Sequence, residues 1–85
     1  MRVVVVFDVP VEHDRLRDRL RRLLKDYGGE FVEYSVYETE LDEEAVRELI
    51  ERVRRLIRSG AGRVDFVFPC ERCYRRIIVV DTTQP

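Results

Sequence analysis

Long apolar runs, cysteine and lysine are all scarce in this sequence of 85 residues. No apolar stretch approaches the ~20 residues that a membrane-spanning helix needs, and no signal-peptide pattern opens the chain. The two cysteines, Cys70 and Cys73, are too few and too close together to form the disulfide framework of a small secreted domain. These absences argue against a membrane protein and predict a protein of the reducing cytoplasm.

Charge is balanced in total but uneven along the chain. The formal net charge is -1, which is not the strongly basic balance of a protein that binds nucleic acid by bulk attraction. Arginines crowd residues 15–22, whereas residues 30–51 contain nine acidic residues and a single basic one, Arg47. Lys25 is the only lysine among the 16 basic residues. Arginine suits phosphate recognition, although a GC-rich genome or a hot habitat produces the same bias.

The hydrophobic pattern predicts one small domain, spanning residues 1–85, with the order β-α-β-α-β-β. The continuous apolar run at 3–7 is typical of a central strand that is covered on both faces. Residues 30–40 contain no turn pair for a hairpin and predict one strand. The predicted strands are 2–8, 30–40, 63–68 and 75–81. The predicted helices run from about Asp14 to Tyr27 and from Asp42 to near Ser59 and Gly60.

This order predicts an α/β (α+β) sandwich that is ferredoxin-like, with two helices on one mainly antiparallel sheet. A domain of this size has a thin stability margin, which favours an oligomer. The last strand, Ile77–Val80, is apolar and would be an aggregation-prone edge if it were left exposed. We therefore expect this C-terminal strand to pair with a partner subunit.

Asp8 is the first candidate for chemistry, because it ends the first strand just before a loop. A carboxylate there could hold Mg²⁺, and a two-fold axis beside it would bring a second carboxylate for metal-assisted phosphodiester hydrolysis. The alternative is a strand-end aspartate that accepts hydrogen bonds from backbone amides in a turn. Local sequence leaves both interpretations open.

Other polar residues each allow two interpretations. The arginines of the first helix could position a phosphate backbone, or form a solvated face that pairs with neighbouring aspartates. His13 could act as a general base or cap the helix. Cys70 and Cys73 could supply half of a zinc site that a dimer completes, but no helix start is evident there, and ordinary packing is the favoured interpretation.

Four segments, taken in order, make the chain resemble the small CRISPR-associated adaptation proteins of the Cas2 family. No single segment is specific, but the ordered set covers nearly the whole chain. The segments are Val6–Pro10, Asp26–Gly28 at the end of the arginine-rich helix, Glu33–Glu38 and Pro69–Cys73.

The resemblance implies a ferredoxin-like homodimer in which the last strand packs on the partner subunit and the two Asp8 residues face each other across the interface. It implies that Asp8 is catalytic and binds Mg²⁺. It also implies that Arg15, Arg17 and Arg19 bind nucleic acid. The expected partners are the CRISPR integrase and either duplex DNA or single-stranded RNA. Some family members cut nucleic acid, whereas others only hold the DNA fragment for the integrase.

Two alternatives remain open beside this CRISPR role in antiviral defence. One is a toxin-like endoribonuclease of the same fold, which would have no integrase partner. The other is a non-enzymatic, ferredoxin-like regulatory module, which the acidic residues 30–51 and the near-neutral charge would suit.

Overall fold

A computed structural model describes residues 1–83 of the chain. Four strands and two long helices make up most of it, with one short helix near the C-terminal end. The elements in order are β1 (Arg2–Asp8), a 3₁₀ turn (Val11–His13), α1 (Asp14–Lys25), β2 (Glu30–Glu33), β3 (Val36–Glu40), α2 (Glu43–Ile57), β4 (Arg63–Val67) and α3 (Glu71–Tyr74).

The four strands form one antiparallel sheet in the order β2-β3-β1-β4. Each long helix connects two strands that are not neighbours in the sheet, which confirms the predicted ferredoxin-like arrangement. The N-cap prediction for α2 is also confirmed, because the Asp42 carboxylate accepts a hydrogen bond of 2.8 Å from the Ala45 amide. None of the helices within residues 1–83 is both long enough and apolar enough to span a membrane.

The core lies on one face of the sheet only, beneath α1 and α2. Alternate residues of β1 enter it, namely Val3, Val5 and Phe7, and they pack with the buried leucines of α1 and with α2. The even-numbered residues of β1 point to the opposite face, which we call the outer face. The expectation that β1 is covered on both faces is therefore wrong for a single chain, since both long helices lie on the inner face.

The prediction of one strand across residues 30–40 is wrong, because the chain turns back at Tyr34 and Ser35 to form the β2–β3 hairpin. Neither turn residue has a positive φ, so this is not one of the glycine-dependent turns that sequence patterns reveal. Contacts from elsewhere hold it: Arg21 donates a hydrogen bond to the Tyr34 carbonyl, and the Phe7 amide donates one to the Ser35 carbonyl at 3.0 Å.

The predicted last strand is absent from the sheet of this chain. Ile77–Val80 follows α3 without entering any strand, and the Ile78 and Val80 side chains are each 86% exposed. A strand needs a free sheet edge beside it, and this segment pairs with neither edge of its own sheet. Pairing with a partner subunit stays a prediction.

Candidate nucleic-acid and metal site

Asp8 ends β1 on the outer face, where its side chain is exposed. The register places it opposite Arg63 on β4, and Asp65 is the diagonal neighbour on the same face. Arg63 pairs with Asp65, since its Nε donates to the two carboxylate oxygens at 3.1 and 3.2 Å. The neighbouring guanidinium therefore neutralises Asp65 rather than Asp8, and the Asp8 carboxylate is the group presented to solvent.

A single copy of the chain does not supply a complete metal site around Asp8. Nowhere in residues 1–83 do three or more histidine, cysteine, aspartate or glutamate side chains cluster closely enough to hold a metal ion. Mg²⁺ takes hard oxygen ligands and is commonly held by one or two carboxylates with water and phosphate oxygens. Asp8 fits one such ligand, and a second carboxylate would have to come from a second chain.

The surface around Asp8 is partly apolar. Val4, Val6, Val36 and Val67 lie on the same outer face, and Val6 and Val67 are 36% and 47% exposed. This row of valines gives the outer face the character of a surface that another protein layer covers.

The arginines of α1 lie on two flanks of the helix, separated by its buried leucines. Arg17 and Arg21 are on the flank that faces the hairpin and are only partly exposed. The Arg21 guanidinium lies 3.8 Å from the centre of the Phe31 ring and 4.1 Å from that of Tyr34. Arg17 lies 5.6 Å from the same Tyr34 ring. These cation–π contacts make Arg17 a residue that positions Tyr34. The interpretation of the α1 arginines as one solvated face is therefore wrong for Arg17 and Arg21.

The second flank of α1 faces α2 and carries the exposed arginines. Arg19 and Arg22 line a groove of about 320 Å³ between the helices, whose opposite side includes Arg52. Arg15 and Arg19 line a further cavity at the start of α1. This flank is therefore the surface where guanidinium groups can meet an external anion.

Arg52 is already engaged within the fold. It donates to the Tyr27 hydroxyl at 3.0 Å and to the Asp26 carboxylate at 3.2 Å. The hydrogen bond to Tyr27 is the main cause that raises the pKa of Arg52. The pKa of Tyr27 is raised as well, first by burial and then by its hydrogen bond to Glu48. This network connects the end of α1 to α2 and keeps the Arg52 guanidinium engaged within the fold.

His13 lies in the 3₁₀ turn against Gly60, where its Nδ1 would be 3.0 Å from a Cβ built on that glycine. It also lines the cavity that contains Arg15 and Arg19. This places His13 in the helical layer rather than on the outer face that carries Asp8.

Cys70 and Cys73 are both exposed free thiols, so the interpretation that they pack in the core is wrong. Cys70 is the N-cap of α3, a helix that the sequence pattern did not reveal because it is only four residues long.

The four predicted site residues therefore do not form a single site within one chain. Asp8 lies on the outer face, whereas Arg15, Arg17 and Arg19 lie on the helix that covers the inner face. Arg21 and Arg22 belong to the two flanks as well, although neither was predicted as a site residue. A period of 3.6 residues places Arg21 beside Arg17 and Arg22 beside Arg19, so that signal was present in the sequence.

Comparison with known proteins identifies the family. Residues 1–77 match the family model described as CRISPR associated protein Cas2. A protein of Methanospirillum hungatei named CRISPR-associated endoribonuclease Cas2 2 is 33% identical over 85 residues, which is 100% of this chain and 91% of that protein.

Two further proteins agree with this match. One is an Archaeoglobus fulgidus protein named CRISPR-associated endoribonuclease Cas2 1, which is 30% identical over 94% of this chain and 83% of its own length. The other is the crystal structure of Streptococcus pyogenes Cas2 at pH 6.5, which superposes with a TM-score of 0.83 at 23% identity, over 95% of this chain and 100% of that chain. The chain belongs to the Cas2 family of CRISPR-associated proteins.

Proposed function

We propose that this protein acts in CRISPR spacer acquisition as a homodimer that binds nucleic acid through the α1 arginines and cleaves phosphodiester bonds with Asp8 and Mg²⁺. The observation that carries the proposal is the position of Asp8, which lies exposed at the end of β1 on the partly apolar outer face. The names of the two archaeal relatives, both endoribonucleases, support a nuclease.

Two exposed apolar surfaces support the homodimer. Covering the valines of the outer face with a second copy would remove their apolar surface from water, which favours association at about 25 cal/mol per Å². The segment Ile77–Val80 is the second surface, and it would gain backbone hydrogen bonds as an added strand on the partner's sheet. In a two-fold symmetric pair the two Asp8 carboxylates occupy equivalent positions on the facing sheets.

Each group has a separate part in the proposed reaction. The two Asp8 carboxylates would hold Mg²⁺, which when bound polarises a phosphoryl oxygen and lowers the pKa of a bound water. Arg15 and Arg19 are exposed and provide planar guanidinium groups that suit phosphate oxygens. Arg17, together with Arg21, keeps the hairpin turn in place through Tyr34.

A non-cutting scaffold is the second candidate function. It is favoured by the separation of the α1 arginines from Asp8, since a surface remote from the carboxylate can hold a DNA duplex without cutting it. In this role the dimer would present duplex DNA to the CRISPR integrase. The two functions share the dimer and the arginine surface and differ only in whether Asp8 acts.

The test of the nuclease is cleavage of labelled duplex DNA and single-stranded RNA by the purified protein with Mg²⁺ and with a chelator. We expect cleavage of at least one substrate that the chelator abolishes, and a dimer in analytical ultracentrifugation. Binding of duplex DNA without any cleavage would overturn the nuclease and leave the scaffold. Neither binding nor cleavage at low salt, where phosphate contacts are strongest, would overturn both.

The arginine surface predicts a specific salt dependence of binding. The slope of log K against log salt is negative, and each phosphate contact that is lost reduces its magnitude by about 0.9 for duplex DNA. We expect Arg15→Gln and Arg19→Gln each to reduce the magnitude of the slope by about 1 per protomer, measured by fluorescence anisotropy over a salt series. Arg47→Gln is the matched control, because Arg47 is also exposed but lies on α2 outside the groove. Equal slopes for all three variants would show that the effect is one of net charge.

A further inference from the structure

The exposed cysteine pair has no part in the function proposed above, and its geometry is well defined. Cys70 is the N-cap of α3 with φ -67° and ψ 163°, and Cys73 lies within the helix three residues later. Both thiols are free and exposed. The two residues between them, Glu71 and Arg72, are helical.

This geometry suits an intrachain disulfide. The distance between the Cα atoms of Cys70 and Cys73 depends on the dihedral angles of the two residues between them. For helical angles it is about 5 Å, from a rise of roughly 1.5 Å per residue and a radius of about 2.3 Å. Disulfides span Cα distances of roughly 4.4–6.8 Å. The pair can therefore close without a large movement of the backbone.

The turn that carries the two thiols is anchored to the outer face of the sheet. The hydroxyl of Tyr74, the residue after Cys73, donates to the Glu38 carboxylate at 2.7 Å, and this bond is the main cause that raises the pKa of Tyr74. The Arg2 guanidinium lies 4.1 Å from the centre of the same ring. Within the turn, the Tyr74 amide donates to the Cys70 carbonyl at 2.8 Å. These contacts keep both cysteines on one ordered turn.

The two thiols differ chemically. The pKa of Cys70 is lowered, first by the Cys73 backbone amide and then by the Cys73 thiol. The pKa of Cys73 is raised, chiefly by the neighbouring Cys70. Because the thiolate is the nucleophile in disulfide exchange, Cys70 is the thiol that reacts first near neutral pH.

We propose that Cys70 and Cys73 form a redox-active dithiol that small-molecule disulfides such as oxidised glutathione convert reversibly into an intrachain disulfide. The Cys70 thiolate attacks one glutathione sulfur, the S–S bond of glutathione breaks, and one glutathione thiolate leaves. Cys73 then loses its proton and attacks the Cys70 sulfur, which forms the Cys70–Cys73 bond and releases the second glutathione. Two protein thiols are oxidised and one glutathione disulfide is reduced to two thiols.

The test is incubation of the full-length protein with oxidised glutathione, followed by intact mass spectrometry and thiol counting. We expect a monomeric chain that is lighter by about 2 Da, has no free thiols and returns to the original mass with reduced glutathione. In Cys73→Ser the reaction should stop at a Cys70–glutathione adduct. In Cys70→Ser the reaction should stop at a Cys73–glutathione adduct, because no second thiol is left to close the disulfide.

The contribution of the fold is tested by the same oxidation in guanidinium chloride above the unfolding midpoint. We expect ring closure to be at least about tenfold faster in the folded chain, because the ordered turn replaces a flexible loop. Equal rates in the two conditions would overturn the proposal, as would two persistently free thiols or disulfide-linked pairs of chains. Protection of both thiols by added Zn²⁺ at one ion per two chains would also overturn it, in favour of a shared metal site.

Discussion

Asp8→Asn is expected to lower the rate of Mg²⁺-dependent cleavage by at least about a hundredfold. A positioned catalytic side chain typically contributes a factor of about this size to the rate. Asparagine keeps the shape of the side chain but removes the negative charge, and in the proposed dimer it does so twice at one site. Asp8 is exposed at the end of β1, so the substitution leaves the core unchanged. The variant should therefore fold, form the dimer and bind duplex DNA as the wild type does.

Asp65→Asn is the matched control for this experiment. Asp65 lies on the same outer face, diagonal to Asp8, but its carboxylate is paired with Arg63. We expect this variant to keep its cleavage rate to within a few-fold. If both variants cut at the wild-type rate, Asp8 has no part in the reaction. If both lose cleavage together, the effect belongs to the charge of the outer face or to dimer formation rather than to Asp8 alone.

Gly29→Ala is expected to lower the free energy of unfolding by about 3 kcal/mol, although it adds only one methyl group. A Cβ at Gly29 would lie 2.0 Å from the Glu38 carbonyl oxygen and 2.5 Å from the Thr39 Cβ. Both neighbours belong to β3, so the added methyl group has to move a strand of the sheet. The Gly29 amide also donates to the Tyr37 hydroxyl at 2.6 Å, a bond that such a shift would lengthen.

Gly28→Ala separates crowding from backbone conformation. Gly28 has a φ of 76° and would place its Cβ in open space, so the cost is the left-handed conformation alone, about 1 kcal/mol. Urea denaturation of both variants, with unchanged m values, gives the two free energies of unfolding. We expect the Gly29 variant to lose at least about twice as much. Equal losses would mean that β3 accommodates the methyl group at a cost no larger than that of the left-handed conformation at Gly28.

The long elements follow from local pattern alone. The leucine spacing of α1, the Asp42 cap of α2 and the alternation of residues 63–68 each depend on neighbours within a few positions. For the same reason Asp8 was recognisable as a strand-end carboxylate: a run of valines before a proline marks where the strand stops. These features needed no knowledge of distant contacts.

The hairpin at residues 30–40 depends on contacts that no local pattern contains. Tyr34 is not a typical turn residue, and a single serine, Ser35, is a weak turn signal. Their turn is held by Arg21 from α1 and by Phe7 from β1. The same holds for α3, whose four residues are fixed to the sheet through Tyr74, Glu38 and Arg2. Such segments take their conformation from partners that are remote in sequence.

Periodicity and ordered motifs were enough to indicate the family, to order the main elements and to select Asp8 and the α1 arginines as the residues to test. Three features required the folded chain: β1 is covered on one face, the arginines divide between two flanks of α1, and the cysteine pair is exposed on an anchored turn. The physical reason is that burial and pairing depend on which surfaces meet, and residues far apart in the chain supply those surfaces.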